Sequence, residues 1–571
     1  MSPIIYGDLS ADGQHILMVS PDRPFHGTGI AALMTPLVKL TTPKGGLTMP
    51  LSWPAVVQLA FTYGAAWKPV GRLAAWINEE VARRTQTASL VLSMIEPKRS
   101  PDLKPRKYQI DGAKLIHAVG KVLITDEPGT GKTITTILGL LARGDFPTLV
   151  ICPASVVDSW VGAVRAWAPS RRVTAYRGVG RKKLSPYDVY VTSYDTARID
   201  AAHLAGMGFR AVVADECHAI KNPSSARSKA VRKLAAGADT VVALSGTPIT
   251  HSPADLWPTL AALDIHAWPS RERWINRYCE TVPGDYKDDI LGLNHREPEF
   301  RTALLGGYRR VAKADVLDQL PPKVSSVRTV ELPAVARKRY QAMERDMLAE
   351  LDDGQELSAF SVLTQLNFLS ALSCADADVE VTTTVDEDPE SDTFGEETQH
   401  YHAKLKAPSW KVDALLEVLA ERPGSPVVTF AQSRQLIELA GHAAEKAGYK
   451  VGYVVGGQTA ARRTANVEAF QAGELDLICV TTQAGGVGIT LTAAATGVFL
   501  QRPWSIVDAM QAEDRLHRIG SERHESIEII DIVAADTIDA RVRDALRDKG
   551  KQLADLAQDP RIVAELLGGH T

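Results

Sequence analysis

Paired cysteines, long apolar runs and a positive net charge are all missing from this sequence. Its five cysteines lie far apart and form no C-x-x-C pair. This spacing excludes a zinc ribbon and a disulfide framework, and it is typical of a reducing compartment. No apolar run is long enough to span a bilayer, and the N-terminus has no signal-peptide pattern. We therefore expect a cytoplasmic protein without a membrane partner, and the alanine- and arginine-rich composition favours a GC-rich bacterium or its phage.

The charge balance limits the ways in which the chain can bind other molecules. The net charge is −4, from 64 basic and 68 acidic side chains. It argues against a basic coat that binds nucleic acid over the whole surface, but a local basic channel is compatible with it. A hydrophobic fraction of 45% and a charged fraction of 23% are those of a soluble globular protein. The 571 residues are enough for about three or four folding units.

A glycine-rich turn between an apolar strand and a helix is the main feature that is present. Residues Val122–Thr133 read V-L-I-T-D-E-P-G-T-G-K-T. Such a turn points backbone N–H groups at a phosphate, and the following helix adds its positive end. The lysine reaches the outer phosphates, and the threonine hydroxyl binds Mg²⁺. The predicted nucleotide-binding residues are Gly129, Thr130, Gly131, Lys132 and Thr133, and Thr133 is also a predicted metal ligand.

This turn departs from the strict phosphate-loop pattern at one position. Asp126 stands where that pattern has a glycine, which points away from kinases and small GTPases. The alternative is a chance Gly-Lys-Thr at the start of a helix. The apolar strand before the turn and the acidic and arginine motifs after it favour a phosphate-binding loop.

Residues 1–100 are predicted to form an accessory domain. Helical spacing of apolar residues predicts two helices, Trp53–Tyr63 and Val70–Arg84. A DNA-binding module and a structural cap are both compatible with this segment, and the cap is favoured because no basic-aromatic cluster stands out. A basic, proline-containing link, Pro97–Lys107, then leads to a helix that carries Gln109. Gln109 is either an ordinary surface amide or a group that reads the adenine edge.

Strands and helices alternate through residues 101–265, which we predict to be the ATP-binding domain. This alternation predicts a parallel sheet covered on both faces, with functional groups at the carboxyl ends of its strands. One such end carries Asp215 and Glu216. An acidic pair at that place can hold Mg²⁺ through Asp215 and orient the attacking water through Glu216. A helix N-cap is the alternative, which the upstream phosphate loop disfavours.

The pattern changes to longer helical stretches over residues 266–405, which we predict to be helical insertions. An acidic tract with few apolar residues, Asp376–Glu397, lies near their end. Its composition predicts a disordered, solvated loop. An acidic segment that mimics DNA and inhibits the protein is the alternative.

A second alternating block, residues 406–571, is predicted to be a similar domain that ends in a C-terminal helix. A predicted strand, Leu477–Val480, runs into a glycine-rich loop that contains Gly488, a further predicted nucleotide contact. A helix is then predicted over Ile506–Ile519, with Gln511, Arg515 and Arg518 on one face. A glutamine and two arginines so aligned can clamp a phosphate group. An arginine pair bound to surface carboxylates is the alternative.

Together these motifs resemble the Swi/Snf-related branch of the superfamily 2 helicase-like ATPases. D-E-P-G-T-G-K-T is similar to that branch's phosphate loop, I-C-P-A-S-V-V-D-S-W to its motif Ia, D-E-C-H to its Walker B motif and S-G-T-P-I to its motif III. A-G-G-V-G-I-T-L-T-A-A, R-P-W-S and Q-A-E-D-R-L-H-R-I-G are close to its motifs V and VI. The resemblance covers residues 103 to 560, and within the branch it is closest to the short annealing-helicase or phage-type members.

The resemblance implies two tandem RecA-like α/β domains that hydrolyse Mg²⁺-ATP between them. It also implies that Arg515 and Arg518 stabilise the transferring phosphoryl group, with Gln511 beside them. The expected partner is duplex or branched DNA, bound without sequence specificity by a protein that is a monomer. The nucleic-acid contacts that the resemblance implies are Ser155, Thr192, Ser433, Arg434 and Thr481.

The sequence departs from the branch at Pro128 and Thr130 in the phosphate loop, at His251 and at Ser521. None of these removes a catalytic group, although the coupling between ATP and DNA could differ. The leading expectation is a DNA-stimulated ATPase that tracks along duplex DNA. The other functions left open are a strand-separating 3′–5′ helicase, an RNA helicase and an ATP-dependent clamp in a larger complex.

Overall fold

The computed structural model divides into two compact units, Met1–Val316 and Leu317–Thr571. It describes residues 5–19, 47–85, 103–183, 186–246, 248, 252–283, 289–304, 307–317, 320–352, 368–385, 397–482, 489–503 and 506–539. Each unit is built around its own parallel β-sheet. The predicted α/β class with two parallel-sheet domains is therefore confirmed.

The N-terminal part of unit 1 is a small four-stranded sheet with two helices. Its strands are β1 (Ile5–Leu9), β2 (His15–Val19), β3 (Leu47–Pro50) and β4 (Trp67–Pro69), in the order β3-β2-β1-β4. Helices α1 (Trp53–Tyr63) and α2 (Gly71–Thr85) lie close to the bounds predicted for them. Ile16, Leu59 and Leu73 are fully buried in a core that belongs to this part alone. The indole of Trp53 ties it to the rest of unit 1 by donating to the carbonyl of Thr302 at 3.0 Å.

A seven-stranded parallel sheet forms the centre of unit 1. Its strand order is β13-β5-β10-β9-β6-β8-β7. Two of its strands, β6 and β10, are buried along their whole length because helices cover both faces, which explains continuous apolar runs such as T-L-V-I-C. The strands are β5 (Lys121–Ile124), β6 (Thr148–Cys152), β7 (Val173–Ala175), β8 (Val189–Ser193), β9 (Ala211–Asp215), β10 (Thr240–Leu244) and β13 (Tyr308–Arg309).

The other helices of unit 1 precede, connect or follow these strands. They are α3 (Lys107–Val119), α4 (Lys132–Arg143), α5 (Val157–Trp167), α6 (Tyr194–Ile199), α7 (Ala201–Ala205), α8 (Ala226–Ala235), α9 (Trp257–Leu263), α10 (Arg271–Tyr278), α11 (Glu297–Ala303) and α12 (Lys313–Val316). A two-stranded antiparallel ribbon, β11 (Cys279–Val282) and β12 (Asp289–Leu293), lies between α10 and α11. Helices α3 and α4 approach closely at Gly139, where an added Cβ would lie 2.7 Å from Ile116.

Unit 2 contains a six-stranded parallel sheet in the order β14-β21-β20-β17-β19-β18. Alternate residues of one strand enter two different cores: Val427 packs in one, and Val428 and Phe430 pack in the other. The strands are β14 (Lys323–Val330), β17 (Val427–Ala431), β18 (Val451–Val454), β19 (Leu477–Thr481), β20 (Thr496–Phe499) and β21 (Ile527–Ala534). The helices are α13 (Ala334–Asp352), α14 (Trp410–Ala420), α15 (Arg434–Lys446), α16 (Ala460–Gln471) and α17 (Ile506–Glu513).

Residues 266–405 differ from the predicted helical insertions. Each sheet takes an edge strand from this region, because β13 pairs with β5 in unit 1 and β14 pairs with β21 in unit 2. The two ends of the acidic tract, predicted to be a disordered loop, belong to an antiparallel pair, β15 (Asp376–Val385) and β16 (Glu397–Lys406), and residues 386–396 of the tract lie outside the described residues. β15 contains the run V-E-V-T-T-T-V, and its β-branched residues favour a strand despite the flanking acidic residues.

All five cysteines are buried and free of disulfides. Among the described residues, no helix has the length and apolarity needed to cross a membrane. The described part of the chain also has no cluster of three or more histidine, cysteine or acidic side chains suited to a metal ion.

Candidate nucleotide-binding site

The predicted phosphate loop joins the carboxyl end of β5 to the first residue of α4, Lys132. Gly129 and Gly131 both have a φ of 84°, in the left-handed region that side-chain-bearing residues avoid. An added Cβ at Gly131 would lie 2.5 Å from Nε2 of Gln109. The loop thus combines a glycine-dependent backbone curl with the N-terminus of a twelve-residue helix, which is the geometry that binds a phosphate chain.

Helix α3 holds this loop in place. Gln109 is buried, its Oε1 accepts from the backbone N–H of Arg106 at 2.9 Å, and its Nε2 donates to the carbonyl of Thr130 at 3.1 Å. The hydroxyl of Tyr108 donates to the same carbonyl at 2.8 Å. Gln109 is therefore not the surface amide that was one of its two predicted roles. Its predicted contact with adenine stays a prediction.

The side chains of Lys132 and Thr130 donate hydrogen bonds to carbonyls within the loop. Nζ of Lys132 donates to the carbonyl of Asp126 at 2.8 Å and lies 3.4 Å from that of Glu127. The hydroxyl of Thr130 donates to the carbonyl of Glu127 at 2.8 Å. Thr133 lies in the first turn of α4 and is half-buried. Since its present partners are neutral carbonyls, Lys132 can exchange them for phosphate oxygens, which form stronger, charge-assisted bonds.

The acidic pair lies at the carboxyl end of β9, whose last residue is Asp215. Oδ2 of Asp215 accepts from the indole N–H of Trp160 at 2.7 Å, and Oδ1 accepts from the backbone N–H of Glu216 at 3.1 Å. Burial and the neighbouring Glu216 carboxylate raise the pKa of Asp215 to about 6, against the opposing effects of Trp160 and Lys132. A divalent cation beside these carboxylates would offset their mutual repulsion, so the donor set fits Mg²⁺.

Glu216 has a strained backbone and a histidine partner. Its φ of 53° and ψ of 54° are left-handed, which is rare for a residue with a long side chain and is typical of functional sites. Nδ1 of His218 lies 3.4 Å from Oε2 of Glu216 and 3.2 Å from the hydroxyl of Ser245. Ser245 follows β10, so His218 links the acidic motif to the next strand end of the sheet.

Three strand ends meet at the candidate site. β10 pairs with both β5 and β9, so the ends that carry the phosphate loop, the acidic pair and Ser245-Gly246 are neighbours. A Cβ at Gly246 would lie 2.5 Å from the ring of Pro128, so only glycine allows this approach. Thr247 and His251, which continue this motif, and Gly488 in unit 2 lie outside the described residues.

The predicted arginine helix of unit 2 ends earlier than expected. Helix α17 stops at Glu513, so Gln511, Arg515 and Arg518 do not share a helix face as predicted. The two arginines are nevertheless brought together, because both donate to the carbonyl of Ile489, at 3.4 Å and 3.3 Å. Burial lowers the pKa of Arg518, and the charge of Asp514 acts in the opposite direction. Gln511 is buried.

A buried ionic network fixes the end of α17 just before these arginines. Glu513 accepts from Nζ of Lys323 at 2.9 Å and from Arg502 at 2.8 Å. Arg502 also donates to Asp531 at 2.7 Å. Burial raises the pKa of Glu513, but the charges of Lys323 and Arg502 outweigh it and lower the pKa to about 2. The network places Arg515 and Arg518 because the chain leaves the helix directly after Glu513.

Comparison with known proteins agrees with this geometry. The model of the SNF2-related domain matches residues 108–377, and that of the helicase conserved C-terminal domain matches residues 410–520. The chain belongs to the SNF2-related helicase-like ATPases. Accordingly, the two parallel-sheet units are the tandem RecA-like domains of this family.

Individual relatives are distant. "Chromodomain-helicase-DNA-binding protein 1-like" of Danio rerio is 28% identical over 79% of this chain and 45% of its own length. "Putative ATP-dependent helicase/translocase YwqA" of Bacillus subtilis is 25% identical over 85% of this chain and 52% of its own. The chain thus spans about half the length of the curated relatives it matches. The "Sulfolobus solfataricus SWI2/SNF2 ATPase core in complex with dsDNA" is 21% identical with a TM-score of 0.37, covering 81% of this chain and 97% of that one.

The nucleic-acid contacts predicted for this SNF2-related ATPase differ in accessibility. Ser155 is exposed in a short 3₁₀ turn after β6. Arg434 is exposed at the start of α15, where it pairs with Glu438 at 2.7 Å. Ser433 is the N-cap of that helix, and its hydroxyl accepts from the backbone N–H of Leu436. These three remain available to a nucleic-acid backbone.

Thr192 is a correction to the predictions. It is fully buried, and its hydroxyl donates to the carbonyl of Tyr176 at 2.9 Å, so it holds two strands of the sheet together and is not placed to touch nucleic acid. The chain emerges from the sheet one residue later, at Ser193, whose hydroxyl caps α6. Thr481 is also buried, with 6% of its surface exposed.

Proposed function

We propose that this SNF2-related ATPase is stimulated by DNA and uses ATP to move along duplex DNA, remodelling or reannealing branched structures as a monomer. The observation that carries the proposal is the set of neighbouring strand ends in unit 1, which brings the phosphate loop beside Asp215, Glu216 and Ser245. Support for DNA as the partner comes from the relatives, one of which is named as DNA-binding and another as a translocase.

In unit 1, we assign each step of nucleotide handling to a named side chain. Lys132 leaves the loop carbonyls and binds the outer phosphates, while the loop backbone N–H groups hold the remaining oxygens. Thr133 and Asp215 would hold Mg²⁺, which when bound neutralises charge that develops on the phosphates. Glu216 orients the attacking water, and His218 sets the position of that carboxylate.

In unit 2, we assign Arg515 and Arg518 to the stabilisation of the transferring phosphoryl group. Arginines in this role raise the rate by about 10³- to 10⁵-fold in related phosphoryl-transfer enzymes. Both currently donate to a neutral carbonyl, that of Ile489, so a phosphate is a stronger partner for them. Hydrolysis in this proposal depends on side chains of both units, so turnover can be coupled to a conformational change that acts on bound DNA.

The contacts with DNA are proposed to be to its backbone. Ser155 in unit 1 and Ser433 and Arg434 in unit 2 are the predicted contacts that are accessible. A hydroxyl or a guanidinium that binds phosphate carries little sequence information. Binding should therefore be independent of sequence and should weaken steeply as the salt concentration rises.

The test is ATP turnover with single-stranded, duplex and forked DNA and with RNA, each at two salt concentrations. We expect duplex or forked DNA to stimulate most and high salt to reduce the stimulation. Lys132→Ala should abolish turnover, whereas Lys229→Ala, which changes an exposed lysine on α8, should leave it unchanged.

Three outcomes would contradict the proposal. Turnover retained by Lys132→Ala would remove the assigned site. Stimulation by RNA and not by DNA would favour an RNA helicase. Strand separation of a forked duplex without any reannealing activity would favour a strand-separating helicase.

A further inference from the structure

An edge strand that the sequence did not predict runs alongside the phosphate-loop strand. The hydrogen bonds between β13 and β5 continue past both strands: the backbone N–H groups of Leu123, Thr125 and Glu127 donate to the carbonyls of Gly307, Arg309 and Val311, at 2.8, 2.7 and 2.9 Å. We name residues 307–313 the strap. Its last bond of this series reaches Glu127, which is already within the phosphate loop.

The strap also binds the loop through a buried ion pair. Nε of Arg309 lies 3.2 Å from Oδ1 of Asp126, and the two side chains are only 10% and 1% exposed. The guanidinium is enclosed by α3 as well, because an added Cβ at Gly112 would lie 2.6 Å from its NH1 atom. Asp126 is the residue that departs from the strict phosphate-loop pattern, and the strap explains its presence: it is the anchor for Arg309.

A second set of contacts fixes the next loop residue. The backbone N–H of Lys313 donates to Oε2 of Glu127 at 2.8 Å, and Arg310 donates to the carbonyl of Thr125 at 3.3 Å. The carbonyls of Asp126 and Glu127 are the present partners of Lys132. The strap therefore sets the position of the two carbonyls that Lys132 must leave when it binds a phosphate.

The strap also leads directly to the boundary between the two units. Its last residue, Lys313, begins α12, which ends at Val316, and unit 2 begins at the next residue, Leu317. One short helix therefore separates Leu317 from the residues that hold Asp126 and Glu127. The connection is covalent, so it exists in every arrangement of the two units.

We propose that Arg309 and Arg310 are positioning residues for ATP binding, and that the strap couples the affinity of the phosphate loop for nucleotide to the position of unit 2. The first part rests on the ATPase activity of the family alone. The second part, the response to DNA, rests on the proposed function.

The first experiment measures the affinity for a fluorescent ATP analogue and the KM and kcat for ATP, all without DNA, in the full chain. Arg309→Gln should raise Kd and KM by about tenfold or more, because it removes the arginine charge that pairs with Asp126 beside Lys132, while kcat at saturating ATP changes much less. Arg309→Lys should restore most of the affinity, since it keeps the charge. Gly112→Ala, whose Cβ would lie 2.6 Å from NH1 of Arg309 and 2.5 Å from Cγ2 of Thr135, should change Kd and KM in the same direction as Arg309→Gln without deleting any charge.

The matched control is Arg277→Gln. Arg277 pairs with Glu299 at 2.7 Å, and the two side chains have the same exposures, 10% and 1%, as the Arg309–Asp126 pair. Both variants should lower the thermal stability, but only Arg309→Gln should change nucleotide affinity. Equal effects of Arg309→Gln and Arg277→Gln on Kd and KM would overturn the proposal. It would also be overturned if Gly112→Ala had a normal Kd and Arg309→Lys bound nucleotide as weakly as Arg309→Gln.

The second experiment separates the strap from the linker. Two glycines inserted between Val316 and Leu317 should leave the Kd measured without DNA unchanged and should reduce the change in KM that duplex DNA causes. An unchanged DNA response in the insertion variant would overturn the coupling. If wild-type turnover does not respond to DNA, the proposed function fails instead, and the affinity data for Arg309→Gln still decide the positioning role.

Discussion

Replacing Trp160 by phenylalanine should slow ATP hydrolysis. Trp160 does not contact the substrate in this proposal, but it positions the carboxylate of Asp215. The indole N–H donates to Oδ2 of Asp215 at 2.7 Å, and Trp160 is almost completely buried in α5. Phenylalanine keeps an aromatic ring at this place but cannot donate. Asp215 then loses the hydrogen bond to Oδ2 and keeps the one from the backbone N–H of Glu216 to Oδ1.

The magnitude follows from the charge of the acceptor. A hydrogen bond to an ionised group contributes about 1.5–3 kcal/mol. If Asp215 needs this bond to stay aligned during hydrolysis, the loss corresponds to a roughly 10- to 100-fold lower kcat, since about 1.4 kcal/mol is tenfold. The ring change itself should cost stability, as large-to-small substitutions in cores do.

The assay compares Trp160→Phe with Trp167→Phe in steady-state ATP turnover, titrated with Mg²⁺, and in thermal unfolding. Trp167 is also buried on α5, and its change leaves the bond to Asp215 intact. We expect similar losses of stability but a lower kcat and a higher Mg²⁺ requirement only in Trp160→Phe. Equal kcat values in the two variants would refute the role of this bond.

Three further changes test the described geometry. The Glu513 carboxylate, with its pKa lowered from 4.5 to about 2, stabilises the fold above pH 4.5, so the urea stability lost in Glu513→Gln should shrink as the pH falls from 4.5 towards 2. Lys411→Met removes the buried cation that lies 2.6 Å from the largely buried Asp539 carboxylate and should destabilise unit 2 by about 3–5 kcal/mol, measured by thermal unfolding. Gly131→Ala should weaken binding of an ATP analogue by displacing Gln109.

Each of these has an outcome that would contradict it. A difference between wild type and Glu513→Gln that is constant down to pH 2 would mean that the carboxylate is not held ionised. An unchanged melting temperature for Lys411→Met would show that Asp539 finds another partner. Normal analogue binding by Gly131→Ala would show that the loop tolerates a side chain at a φ of 84°. Gly144→Ala is the control, because Gly144 is also left-handed but lies at the other end of α4.

The catalytic side of the site was accessible to sequence reasoning because its groups lie next to long apolar strands. β9 contains the apolar run A-V-V-A and ends at Asp215. The alternation of strands and helices therefore predicts this carboxylate at the carboxyl ends of the parallel strands. The phosphate loop was equally clear, because its glycines are needed for a backbone curl that no other residue adopts cheaply.

The strap was missed for physical reasons. β13 has only two residues, too few for any periodicity, and Arg309 meets Asp126 across 183 positions of sequence. One signal was available: an aspartate in a phosphate loop, followed by a glutamate, needs a nearby cation in order to be buried. The adjacent Arg309 and Arg310 could have supplied that cation.

Two errors at element ends share a cause. The strand end was predicted to within one residue and the helix end six residues too late, and the direction of a side chain changes completely over one residue of strand. Thr192 therefore faces the interior whereas Ser193 emerges, and Arg515 and Arg518 leave the helix at Glu513 although their spacing fits a helical face. Tertiary contacts, here the carbonyl of Ile489, decide where such groups finally lie.

The state of the cysteines determines how movements of this enzyme can be observed. Burial raises the pKa of each of the five thiols, so thiol-reactive dyes should leave the folded wild-type chain almost unlabelled; the thiols are those of Cys152, Cys217, Cys279, Cys374 and Cys479. A single new cysteine in each unit, on exposed positions such as Lys229 and Lys446, would then carry a donor and an acceptor fluorophore without removing any native residue from the cores. Energy transfer between the two dyes would report the distance between the units during each round of ATP turnover.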